Sequence, residues 1–274
     1  MKNLLHSEFY KLWISGSFRG FAIGTIISAL ISVVFINSLE PFTTNAPKDL
    51  VEQMVMNGVY NFGFIKVDSI SDLTAMTSIF VMTSAFTNYC PLILVAIFIS
   101  KFINTEFENG GIRNFLLKGY NRNEVIFSKY IASMTIIATI MLTYFLIYCV
   151  MSTIIFSYTS ISIHFFLDLV AFLFAEIFLI ISFATLCFSI SMFSQRRTTV
   201  LLNASMVLLG DMFIKVILIM TNGQLNLSSF WVLGFVSNIK PSKGIDVNLF
   251  VVAIITLIIP FILAQRRFKR LEFK

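Results

Sequence analysis

Long apolar runs alternate along this chain with short polar stretches. Six of these runs are long enough to cross a hydrocarbon core about 30 Å thick, which takes roughly 20 residues of helix. They are placed at 20–39, 78–100, 130–157, 169–193, 198–220 and 247–265, within a single transmembrane domain covering 1–274. Before the first run, Leu4, Leu5, Tyr10, Leu12 and Trp13 are interleaved with Lys2, Glu8 and Lys11. That pattern suits a short helix lying in the interface, with Trp13 at headgroup depth. The stretch 40–77 reads as an outer loop of turn formers with a net negative charge. Pro91 is expected to kink the second run near its middle. Between the fifth and sixth runs, Trp231 and Phe235 sit between polar ends in a segment read as an outer interfacial or re-entrant element.

The polar segment 101–129, between the second and third runs, departs most from its surroundings. Ile112, Phe115 and Leu116 recur at i, i+3, i+4, with Arg113, Asn114 and Lys118 on other faces, so a short amphipathic helix is predicted. Gly110 and Gly111 break the chain before it and Gly119 after it. An apolar face on such a short helix invites a protein partner. A helix lying on lipid headgroups fits the same pattern, with Lys and Arg turned to the phosphates.

Composition agrees with the pattern. Of the 274 residues, 57% are hydrophobic and 12% charged, and the mean hydropathy is +0.88. That leaves too little polar surface for a water-soluble globule. The excess of 20 Lys and Arg over 14 Asp and Glu gathers beside one set of span ends, from Lys2 and Lys11 through Lys101, Arg122 and Arg197 to the terminal QRRFKRLEFK. Lys48, Lys66, Lys240 and Lys243 are the basic residues of the proposed outer segments, and Lys215 lies inside a run. By the retention of basic loops on the inner side, both termini are expected in the cytoplasm, and the basic balance reports topology and anionic lipid rather than nucleic acid. No cleavable signal peptide is read at the amino terminus.

No catalytic constellation is found. There is no GxxxxGK[ST] phosphate loop, no HExxH and no GxSxG, and with only His6 and His164 as histidines no metal site can be composed. Cys90, Cys149 and Cys187 read as small apolar fillers. Glu176, Asp211 and Lys215 fall inside runs, where burying a charge costs roughly 3 kcal/mol or more. Asp211 and Lys215 are spaced i, i+4 and can neutralise each other, with Glu176 within reach from a neighbouring helix. A polar substrate path or a proton relay are the functional readings of the same residues.

Glu108, Gly110, Ile112 and Arg113, followed by Leu117, Arg122 and Lys129, together with the six-run layout, resemble the membrane subunits of ABC-2 type exporters. Gly111 stands where that family commonly has threonine, and Asn121 where it has serine. The resemblance implies an all-α permease with no hydrolytic residues of its own, in a bacterial plasma membrane. It would pair with a second permease, the same chain or a homologous one, and with separate ATP-binding-cassette ATPases that hold ATP and magnesium. Glu108, Gly110, Ile112, Arg113, Phe115, Leu116 and Arg122 would then form the contact with the ATPase. The implied cargo is an antimicrobial peptide or hydrophobic drug, giving immunity or resistance. The alternative from another class is an autonomous ion-coupled transporter or channel using Glu176, Asp211 and Lys215. A passive membrane anchor that sequesters its ligand is a third.

Overall fold

A computed structural model describes residues 2–45, 81–82, 85–87, 89–156, 163–194, 198–200, 202–206, 209–210, 220, 232 and 247–270. Among them every extended element is helical: α1 (Lys2–Ile14), α2 (Gly16–Asn45), α3 (Tyr89–Glu108), α4 (Gly111–Leu117), α5 (Arg122–Ile155), α6 (Ile163–Ser194) and α7 (Val247–Lys269). Five of these, α2, α3, α5, α6 and α7, contain segments long and apolar enough to cross a membrane. The chain has the build of a multi-pass membrane protein. The expected fifth run is described only in fragments. The loop from residue 46 onward and the element around Trp231 and Phe235 lie outside the described residues.

Several boundaries differ from those expected. Pro91 falls in the first turn of α3, where a missing N–H leaves no bond unmade and the fixed φ suits the helix. It therefore produces no mid-span kink. Lys101, Glu106 and Glu108, placed beyond the span by their charge, continue α3. Likewise α5 begins at Arg122 rather than at residue 130, and Lys129 is inside it. Asn121 precedes its first turn, and the Glu124 carboxylate accepts the Asn121 backbone N–H at 3.3 Å, the reach-back half of a capping box.

Helix α1 turns into α2 at Ser15. Its hydroxyl donates to the Leu12 carbonyl at 2.8 Å and accepts the Phe18 N–H at 3.1 Å, so one serine closes one helix and caps the next. Leu4, Glu8 and Leu12, at i, i+4, i+8, are buried against the bundle, while Tyr10, Trp13 and Ile14 are exposed. The helix is therefore two-sided, with one face in the bundle and the other exposed. Phe21 of α2 stacks on Phe98 of α3 with centroids 4.8 Å apart. Phe86 packs among Phe145 of α5 and Phe172 of α6 at the opposite end. The most extensive pairing is α6 with α7. Tyr130 of α5 joins both, its ring 4.4 Å from Phe261 and its hydroxyl 2.8 Å from Thr185. Several buried hydroxyls donate within their own helices, as where Ser32 donates to the Ser28 carbonyl and Ser100 to that of Ala96, which lets the backbones approach closely.

Candidate functional site

The short helix between the second and third spans is fixed at both ends by glycine. Gly110 has φ 64° and Gly119 φ 85°, left-handed values that a side chain disfavours. At the far end the Tyr120 N–H donates to the Phe115 carbonyl at 3.3 Å and the Gly119 N–H to that of Leu116 at 3.0 Å. These are the two bonds of a Schellman closure. The contact between flanking apolar residues that usually accompanies it is Tyr120 set edge-on to Phe115.

The apolar face of α4 points into the chain, not outward as expected. Ile112 is 1% and Phe115 7% exposed, and Leu116 packs against the same core. The outward side consists of Arg113, Asn114, Leu117 and Lys118, with Leu117 75% exposed. In the sequence Leu116 and Leu117 are equivalent letters. The direction of the face is set by what waits beneath it.

Beneath it lies a knot of charge drawn from three other helices. Lys129 of α5, 0% exposed, donates from Nζ to both carboxylate oxygens of Glu8 on α1 at 3.0 Å and to Oε2 of Glu106 on α3 at 2.7 Å. Lys11 of α1 completes it, 3.9 Å from Glu8 and 3.7 Å from Glu106. Two carboxylates and two ammonium groups leave no net charge. Phe115 forms the roof, with Lys11 Nζ 4.2 Å and Lys129 Nζ 5.5 Å from its ring centroid, at distances where a cation is drawn to the ring face. Burial pushes the Glu8 carboxyl above its ordinary value of 4.5; Lys129 pulls it back, Glu106 raises it further, and Lys11 lowers it. The knot ties α1, α3, α4 and α5 into one body.

Gly111 is part of this device. A Cβ built there would run into the Glu106 carboxylate. Gly111 thus makes room for the acid that binds Lys129. Arg122 ties α5 to α7 through Nη1, which donates to the Phe268 and Lys269 carbonyls at 3.3 and 3.0 Å, closing the end of α7 as a basic side chain can. Of the residues predicted for partner contact, Gly110, Ile112, Phe115 and Leu116 shape and seat the helix, Arg122 holds α7, and Glu108 and Arg113 are exposed.

Glu176 stands apart, on α6. It is 0% exposed, and neither carboxylate oxygen has a hydrogen-bond partner among the described residues. Asp211 and Lys215, its suggested companions, lie outside the described residues. Sequence reasoning also passed over Asn104 and Asn203. Asn104 donates to Thr199 at 2.7 Å, and Asn203 to Ser100 at 2.7 Å, to the Cys187 carbonyl at 3.1 Å and to Ser191 at 3.2 Å. These bonds pin the stretch after α6 against α3 and α6. For Glu8 and Lys129 a usable signal existed. Leu4 and Leu12 flank Glu8 at i−4 and i+4, and Val125, Ile126 and Ala132 flank Lys129 at i−4, i−3 and i+3, so each charge sits on the stripe that the apolar pattern marks for burial.

No protein-family model matches the chain, and no curated protein matches it either.

Proposed function

We infer that the chain is a permease subunit of the ABC-2 export type: six spans with both termini inside, working with separate ATP-binding-cassette ATPases. The observation that carries this reading is the seating of α4. A seven-residue helix, clamped by two left-handed glycines and anchored to a four-charge knot whose Glu8 and Lys129 are buried, offers one exposed leucine between Arg113 and Lys118. A rigid handle with an apolar tip and a basic rim is suited to transmit force from a soluble partner. A push on it reaches α1, α3 and α5 together because the knot links them.

In this reading ATP, with magnesium, is held by the partner ATPase, and its binding shifts the bundle between two arrangements by favouring one of them. The cargo is an antimicrobial peptide or hydrophobic drug, which the acidic outer loop (Asp49, Glu52, Asp68 and Asp72) is suited to attract when cationic. The test is export by vesicles containing the chain with and without candidate ATP-binding-cassette ATPases. Export should require ATP and be lost in Leu117→Asp, while Leu117→Met retains it. Export without any ATPase would contradict the reading.

A second reading rests on Glu176. A buried carboxyl with no hydrogen-bond partner among the described residues, inside an apolar bundle, supports an ion or proton path. An autonomous ion-coupled transporter would run on an ion gradient alone and stop in Glu176→Gln.

A further inference from the structure

A groove of about 590 Å³ runs between α1, α2 and α5, within the size range of small-molecule sites. Its rim is aromatic, formed by Phe9, Tyr10 and Trp13 of α1 with Phe18 of α2; the Trp13 and Phe18 rings lie 5.1 Å apart. Its floor is Ile136 and Ile140 of α5.

Two observations point to what fills it. The first is the medium on which it opens. The helix faces on either side expose Ile23 and Ile27 of α2 and Leu142 and Leu146 of α5, a surface fit for acyl chains. Tyr10 and Trp13, exposed at the rim, are the residue types that settle at headgroup depth. The wall residues Thr135, Thr139 and Thr143 each donate their hydroxyl to the carbonyl four residues back, at 2.8, 2.9 and 2.9 Å. With their protons so committed, they line a path that a hydrocarbon chain can occupy.

The second observation is charge. His6 lines the groove. Arg19 lies on the same side of α2 as the groove residues Ala22 and Ile26, at i+3 and i+7, and is exposed with no ion-pair partner among the described residues. No carboxylate lines the groove, because Glu8 is turned into the knot with Lys129.

We propose that the groove binds one acyl chain of an anionic phospholipid, with the lipid phosphate between Arg19 and His6. The proposal is independent of the ATPase reading. The two share only α1, whose one side forms the groove rim and whose other side enters the knot, so a seated lipid braces the helix that carries Glu8 and Lys11.

The test uses the full chain with Trp231→Phe, which leaves Trp13 as the sole tryptophan. The protein is placed in phosphatidylcholine vesicles containing a minority of either phosphatidylglycerol or phosphatidylcholine with brominated chains, which quench a neighbouring indole. Brominated phosphatidylglycerol should be enriched at Trp13 about fivefold over brominated phosphatidylcholine, the preference expected from one basic side chain facing an anionic headgroup. Arg19→Gln should bring the two lipids to parity. Thr139→Phe, which fills the groove while Arg19 stays in place, should also abolish the preference; both positions are exposed, so folding is not at stake. Equal quenching by the two lipids in the parent protein overturns the proposal. So does a preference that survives Thr139→Phe, which would assign it to surface charge alone. Parity combined with cross-linking between two copies through Thr139→Cys would give the groove to a second subunit and overturn it equally.

Discussion

Lys129 shows how far one side chain sets local order. Removing it leaves Glu8 and Glu106 sharing only the partly exposed Lys11, at 3.9 and 3.7 Å, and breaking the buried Lys129–Glu8 pair in this way costs about 3–5 kcal/mol. Lys129→Met should therefore lower the thermal midpoint of the purified protein sharply, whereas the triple change Lys129→Met, Glu8→Gln, Glu106→Gln should recover much of the loss. Gly111→Ala should destabilise by displacing Glu106. In a Glu106→Ala background the same change should be close to neutral, a non-additivity that a double-mutant cycle reads directly. The pH dependence has a definite sign. Burial raises the Glu8 carboxyl in the folded chain, so the folded state holds that proton more tightly than the unfolded one does. This group's stabilising contribution is complete below the ordinary carboxylate range and is lost as pH rises through the raised folded value. The midpoint of Glu8→Gln should lack this component, while Lys129, Glu106 and Lys11 remain in both proteins. At this scale the sequence showed the residues but not their meeting. Glu8 and Lys129 are 121 positions apart, and although each lies on an apolar stripe, local pattern does not reveal which stripes face each other.

At the scale of elements, periodicity located the helices well and their ends poorly. The amino-terminal helix α1, the short α4 between its glycines and five apolar helices long enough to span were legible because the 3.6-residue repeat and left-handed glycine are local properties. Charge misled at the boundaries. Lys101, Glu106 and Lys129 were read as outside the spans, yet α3 and α5 carry all of them, because Glu106 and Lys129 neutralise each other at the helix ends. Charge likewise concealed which way α4 faces: its apolar side seemed meant for a partner until the knot and its Phe115 roof supplied an internal seat. Opposite outcomes are therefore expected at two neighbouring positions. Phe115→Asp buries a third carboxylate beside the knot and should unfold or strongly destabilise the bundle. Leu117→Asp should leave stability within about 0.5 kcal/mol of the parent, as exposed substitutions usually do, while, in the permease reading, abolishing ATPase binding. Circular dichroism melts separate the pair.

For the whole molecule, the described helices carry two separate exposed features: Leu117 on the outer side of α4, and the groove beside α1, bordered by exposed apolar residues of α2 and α5. In the permease reading, Leu117 is the tip of a handle for a motor supplied by another polypeptide, and the knot carries its movement into three helices at once. The most direct test is a Leu117→Cys variant, with Cys90, Cys149 and Cys187 replaced by alanine, purified with candidate ATP-binding-cassette ATPases. Cross-linking from position 117 to one of them, with a yield that changes when ATP is added, is the predicted result. A cysteine there that is labelled only by reagents applied outside the cell, or that never joins an ATPase while export continues, would contradict it.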